Sequence, residues 1–188
     1  DQIDQAIEAG ATHVTHLYNG MSALHHREPG VVGAALLRDE LYAELIVDGI
    51  HSRPEMIKLA YQQKGKDRLI LITDAMRAKC LKNGVYDLGG QEVIVKDGKA
   101  ELRNGHLAGS VLKMADGFKN MLNFTNADLE SLVDMTSVNP AKQLNVFDRK
   151  GSLATGKDAD LVILDDDYQV VMTFCKGILS YEKESAAK

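Results

Sequence analysis

Three polar residues stand where chemistry could be done: His16, His51 and Asp74. Each closes or follows an apolar, strand-like run, namely Thr12 to Leu17, Leu41 to Val47, and Leu69-Ile70-Leu71-Ile72. In a barrel or an open parallel sheet, sites form at the carboxyl ends of strands, so the three are expected at one end of one sheet. A neutral imidazole such as His16 is a good ligand for zinc or a similar divalent ion. A carboxylate beside such an ion can take a proton from a bound water and later hand it to a leaving amine, and Asp74 is the candidate. Four apolar residues and a Thr precede Asp74, which predicts a partly buried carboxylate. Taken singly, a His is more often structural than functional, and Asp74 could serve as a helix cap or loop acceptor. Their recurrence at successive strand ends favours a site.

Anion binding has separate candidates. Asn19 and Gly20 follow the first strand directly, and Arg27 lies within His26-Arg27-Glu28-Pro29-Gly30. A guanidinium pairs with phosphate oxygens through two parallel bonds, and Gly20 lets a backbone N–H approach closely. The competing reading of Arg27 is a solvated loop side chain. His25 and His26 are adjacent, are expected to diverge in direction, and are read as loop residues. Strand alternation sets His13 on the opposite face from His16.

The elements that must position these residues alternate. Ile3, Ala6 and Ile7 recur at helical spacing before Ala9-Gly10. Helices are predicted from Val31 to Leu37 and from Pro54 to Gln63, the second with proline in its first turn and Gly65 at its end. Leu69 to Ile72, apolar throughout, reads as a parallel strand buried on both faces. Strand–helix repeats of this kind indicate a parallel sheet. Gly89-Gly90 and Asp97-Gly98 are turn signals inside a β-hairpin excursion near 84–109. Helices resume from Val111 to Phe124 and Asp128 to Met135, and Asn139-Pro140 reads as a cap opening a helix to Leu144. Short strands from Asp160 to Leu164, Val170 to Thr173 and Gly177 to Tyr181 are read as a small β-sandwich element.

With 188 residues, 45% hydrophobic and 26% charged, the composition is that of an ordinary globular protein. A formal charge of -5 argues against a nucleic-acid partner, yet leaves room for a local phosphate site. No run approaches the roughly 20 apolar residues of a membrane span, so no membrane partner is expected. No signal peptide is visible either. Cys80 and Cys175 fit no metal or redox spacing and are read as free thiols of a cytoplasmic protein. The chain opens Asp1-Gln2-Ile3-Asp4, already in the body of a helix, so its start is expected to be a cut with further strands upstream.

Read together, several strings resemble the N-acetylglucosamine-6-phosphate deacetylases in order and spacing. They are Thr15-His16-Leu17-Tyr18-Asn19-Gly20-Met21, Arg27-Glu28-Pro29-Gly30, Asp48-Gly49-Ile50-His51, Thr73-Asp74-Ala75 and Leu107-Ala108-Gly109-Ser110. The closing Gly151-Ser152-Leu153 and Gly156-Lys157-Asp158-Ala159-Asp160-Leu161-Val162 are similar to the segment that returns to the β-sandwich across the amidohydrolase superfamily. The resemblance implies an α/β fold. Residues 1–150 would hold the last three strands of a (β/α)8 TIM barrel, and 151–188 part of a small β-sandwich domain.

It also implies roles. His16 would be a metal ligand on the sixth barrel strand, and Asp74, on the eighth, the catalytic acid and base. Asn19, Gly20 and Arg27 would bind the substrate, chiefly its phosphate, with Arg27 reaching into the neighbouring subunit of a homodimer. His51 would contact the sugar, and Leu107-Ala108-Gly109 would close over it. Gly20 departs from the alanine common there, a change that a backbone contact survives. The implied reaction converts N-acetylglucosamine 6-phosphate to glucosamine 6-phosphate and acetate in amino-sugar catabolism. Zinc is the expected metal, with iron or another divalent ion as alternatives. A further ligand His and a ligand Glu would lie before Asp1, so this chain by itself is expected to be inactive, with its metal site incomplete. Two other readings stay open: a cyclic-amide hydrolase or dipeptidase sharing the Asp74 strand end, or a non-catalytic piece of a longer chain.

Overall fold

In the computed structural model, which describes residues 2–184, the apolar runs become strands and the segments between them helices. The first of two compact units, Asp1–Met135, opens with helix α1 (Gln2–Glu8), strand β1 (His13–Val14), helix α2 (Gly30–Leu37) and strand β2 (Tyr42–Ile46). Helix α3 (Pro54–Arg68) and strand β3 (Leu69–Ile72) follow. The strands pair β1-β2-β3, all parallel, with Val14 beside Ala43 and Ile46 beside Ile72. Parallel neighbours need a crossover, and α2 and α3 lie in those connections.

The packing follows from which faces are apolar. Ala43, Leu45, Leu69 and Leu71 of β2 and β3 share a core with Leu17, Ile57, Met121, Leu132 and Met135. Burial of each such large side chain contributes about 1.5–3 kcal/mol. Leu69, Ile70 and Leu71 are all buried, as a strand covered on both faces requires. Pro54 lies in the first turn of α3, where its missing N–H leaves no bond unmade. Gly65 breaks that helix with φ 61° and ψ -176°, and the next residues resume helical hydrogen bonding up to Arg68.

Strand β1 is shorter than the run from Thr12 to Leu17 suggests. His16 and Tyr18 adopt positive φ (33° and 77°), which ends the extended backbone, although Leu17 N–H still donates to Glu44 O at 2.7 Å. The expected hairpin is a three-stranded antiparallel meander of β4 (Gly84–Leu88), β5 (Gln91–Lys96) and β6 (Lys99–Leu102), turning at the anticipated Gly89-Gly90 and Asp97-Gly98. Val93 and Val95 point inward, against Met76, Ala78 and Ala100. Helix α4 (Met114–Phe124) begins three residues later than expected, because Lys113 is extended and Leu112 N–H is bound to Ser110 Oγ at 3.0 Å. Helix α5 (Leu129–Val133) is capped by the Asp128 carboxylate, which accepts from Ser131 N–H at 2.8 Å.

A π-helical turn, Asp134–Val138, follows. The second unit, Thr136–Lys188, contains helix α6 (Asn139–Gln143). Asn139 is buried inside this helix rather than capping it, because the preceding Val138 is already right-handed helical. Strands β7 (Leu161–Leu164), β8 (Val170–Cys175) and β9 (Ile178–Glu182) form a second antiparallel meander. The loop before it is fixed by Lys150, which bridges Asp158 and Asp160, and by Lys157, whose Nζ lies 3.7 Å from the Phe147 ring centre. Cys80 and Cys175 are exposed free thiols. Among the described residues no helix is long and apolar enough to cross a membrane.

Candidate active site

The three parallel strands end alike. His16 stands two residues past Val14, Asp48 two past Ile46, and Asp74 two past Ile72, all at the carboxyl end of one sheet. At ordinary strand spacing the outer two, His16 and Asp74, belong to strands roughly 10 Å apart.

His16 and Asp74 share an unusual backbone. Their φ values are 33° and 46°, in the left-handed region that a side chain normally avoids. Such positions cost about 1–3 kcal/mol each and cluster at functional sites. The left-handed turn also means that simple alternation does not set the relation of His13 to His16: His13 is an exposed strand residue, and His16 belongs to the turn beyond.

The His16 turn is closed by Asn19 N–H donating to His16 O at 2.9 Å. Asn19 Nδ2 donates to Leu17 O at 3.1 Å, so this side chain folds back onto its own turn. Gly20 has φ 68°, and a Cβ placed there would lie 3.7 Å from His16 Cε1, which brings the two against one another. Tyr18 OH donates to Met56 O at 2.8 Å, and burial pushes its phenol up to about 12. His16 Nδ1 is buried without a hydrogen-bond partner. A buried nitrogen left unpaired costs about 1–3 kcal/mol, and a divalent ion is one group that would satisfy it. His16 therefore fits a metal as a single ligand. Among the described residues no group of three or more His, Cys, Asp or Glu could complete an ion site.

Arg27 is exposed, and its partners are neighbours in its own loop. Nη1 lies 2.8 Å from His26 Nε2, and the Arg27 N–H donates to His25 Nδ1 at 3.2 Å. The two imidazoles do not diverge: their ring centres are 4.3 Å apart. An isolated bridge between His25 and Glu28 closes the loop. His25 and His26 thus hold Arg27, a role missed in the sequence because neighbouring side chains were assumed to point apart.

Asp48 is the other residue that sequence reasoning passed over. Its Oδ1 accepts from the N–H groups of Ile50 and His51, both at 2.8 Å, and its Oδ2 lies 2.6 Å from His51 Nδ1. Both side chains are more than nine-tenths buried. Burial would raise the Asp48 carboxyl, but the bonds from His51 and the backbone outweigh it and hold the group below the usual carboxylate range. The D-x-x-H spacing just past a strand was the available signal.

Asp74 is exposed, not partly buried: its position lies beyond the last pair of the ladder. Its carbonyl accepts from Ser110 N–H at 2.8 Å, and Ser110 Oγ donates to Thr73 O. Gly109, at φ 65°, packs so closely that a Cβ would meet Asp74 O at 3.2 Å and Met76 Cβ at 3.3 Å. Ala108 N–H donates to Ala100 O at 2.9 Å, and Leu107 bridges to Glu101. The Leu107-Ala108-Gly109 segment is therefore anchored between β6 and the Asp74 strand end.

This arrangement of strand-end side chains occurs in a sequence that matches the amidohydrolase family over residues 1–179. The chain belongs to the amidohydrolase family. It is 54% identical, over 98% of its length, to an N-acetylglucosamine-6-phosphate deacetylase of Bacillus subtilis (strain 168), and covers 46% of that protein. The chain thus spans about half the length of the curated relatives it matches. Among solved amidohydrolases, it superimposes on the N-acetylglucosamine-6-phosphate deacetylase of Thermotoga maritima with a TM-score of 0.93 and 40% identity, over 97% of this chain and 50% of that one. A Mycobacterium smegmatis deacetylase, crystallised as an aspartate-to-alanine mutant with N-acetyl-D-glucosamine-6-phosphate, gives a TM-score of 0.89 and 37% identity, over 95% of this chain and 48% of that one.

Proposed function

We propose that this amidohydrolase chain serves the hydrolysis of N-acetylglucosamine 6-phosphate to glucosamine 6-phosphate and acetate. The observation that carries this reading is the common placement of His16, Asp48 with His51, and Asp74 just past three adjacent parallel strands. The 54% identity to the Bacillus deacetylase supports the choice of substrate.

In this reading β1 to β3 are the last three strands of a (β/α)8 barrel, with residues 1–150 in that layer and 151–188 in a β-sandwich. His16 would hold a divalent ion, zinc by preference for an imidazole donor, which supplies the charge that makes a water a nucleophile at neutral pH. Asp74 accepts the proton of the attacking water and delivers it to the departing amine, so that a neutral amino group leaves. Its exposed carboxylate is free to reach both. Arg27, held by His26, pairs with the phosphate and reaches toward a second subunit of a homodimer. Asn19 and Gly20 line the same substrate through their turn, and His51 contacts the sugar hydroxyls. Leu107, Ala108 and Gly109 form the wall over the sugar. The reaction is one of cytoplasmic amino-sugar catabolism.

The test is acetate release from N-acetylglucosamine 6-phosphate by a full-length, metal-loaded holoenzyme that carries this segment, set beside a cyclic amide and a dipeptide. Selective turnover of the phosphosugar is expected. Turnover of either comparator in its place would reassign the chain to another amidohydrolase activity.

A further inference from the structure

Asp48 holds its neighbour in a way that fixes more than a turn. Its carboxylate makes three short contacts: two with backbone N–H groups and one with the His51 ring. A carboxylate only accepts, so the hydrogen between Asp48 Oδ2 and His51 Nδ1 sits on the imidazole when that ring is neutral. His51 Nε2 is then a bare lone pair. The turn carrying this pair is braced. Gly49 takes φ 73° with Phe124 3.5 Å from where its Cβ would be, and Asn120 Nδ2 donates to Val47 O at 2.8 Å. With both side chains more than nine-tenths buried, water competes poorly for either.

We infer that Asp48 is a positioning residue that commits neutral His51 to the Nδ1–H tautomer, making Nε2 an acceptor for a substrate hydroxyl. The inference rests on His51 as a sugar contact, as proposed above. It adds a specificity rule: position 51 reads a hydrogen-bond donor on the substrate, and a group that can only accept meets a lone pair there.

Asp48→Asn separates this role from support of the turn. The amide oxygen can still accept from Ile50 and His51 N–H, while the NH₂ group now faces Nδ1 and donates to it. His51 must then carry its hydrogen on Nε2. Nitrogen NMR of the ¹⁵N-labelled chain at pH 8, with His51→Asn to assign the signals, reads this directly. The expected result is a pyrrole-type Nδ1 and pyridine-type Nε2 in the parent, exchanged in Asp48→Asn. The opposite pattern in the parent overturns the inference without any variant having to fold, and so does an Asp48→Asn protein whose two nitrogens keep their parent types. In full-length metal-loaded holoenzyme, Asp48→Asn should lower kcat/KM about tenfold or more, because the substrate hydroxyl loses its acceptor at Nε2 and is left unpaired. Should the tautomer exchange while His51→Asn leaves turnover intact, the sugar contact falls and the hold of Asp48 on the ring still stands.

Discussion

Ser110 N–H donates to the carbonyl of Asp74 at 2.8 Å, and the Ser110 hydroxyl donates to Thr73 O. Two consecutive carbonyls past the end of β3 are thus taken up by a single residue more than thirty positions away. The carboxylate of Asp74 is left outside this pairing, on a left-handed residue whose main chain is held from one side.

That relationship makes a test of Asp74 clean. Asp74→Asn keeps shape and main-chain bonds while removing the proton acceptor, so in metal-loaded holoenzyme kcat should fall by about 10²–10⁴. Binding of the phosphosugar, measured by calorimetry, should change little. Turnover equal to the parent would remove Asp74 from acid–base work.

Arg27→Ala addresses the anion. Its KM for N-acetylglucosamine 6-phosphate should rise by about tenfold or more, since a charge-assisted bond contributes about 1.5–3 kcal/mol. The kinetics of unphosphorylated N-acetylglucosamine should be unaffected. An equal rise for both sugars would argue against a phosphate contact.

His16 Nδ1 is one donor in need of a partner, and the described residues bring no group of three around it. Zinc added to the chelator-washed 188-residue chain should therefore be lost on dialysis. Retention of one equivalent, with acetate release, would contradict the expected incomplete site.

Acid should uncouple Asp4 from Arg38. The guanidinium bond at 2.8 Å is the largest of the causes that lower the Asp4 carboxyl to about 2. A depressed carboxylate stabilises the fold above its ordinary pKa of about 4, and that contribution disappears as pH falls through the folded value near 2. The difference in urea midpoint between the parent and Arg38→Ala should thus be present at pH 6 and much reduced at pH 2. A difference that grows on acidification would reverse the assigned sign.

Leu45 lies at the centre of the parallel sheet and is fully buried. Leu45→Ala should destabilise by about 2–5 kcal/mol through lost burial and a residual cavity. Urea unfolding followed by circular dichroism measures it, and a loss below 1 kcal/mol would mean the site collapses around the smaller side chain.

Periodicity exposed the parallel strands well, because residues such as Leu69 to Leu71 must be apolar throughout when both faces of the strand are buried. Gly89-Gly90 and Asp97-Gly98 fixed two turns, and only the return strand Lys99–Leu102 went unnoticed as a third member. What escaped notice was local geometry. Nothing in the letters around His16 says that its φ is positive, so alternation was carried two residues too far. Asn139 looks like a cap until the helical state of Val138 is known, and that state comes from the π-helical turn before it. For the candidate site, residue types marked the strand ends, whereas the holders of those residues did not stand out. Asp48 and the His25–His26 pair act through angles and distances that spacing along a chain leaves open.

His16 and Asp74 occupy backbone conformations that glycine would adopt with less strain. A population of variants sorted only for heat resistance, with no sugar supplied, should therefore drift toward glycine at both places. The two side chains with most to do in the proposed chemistry would be among the first discarded, since robustness and usefulness pull on them in opposite directions.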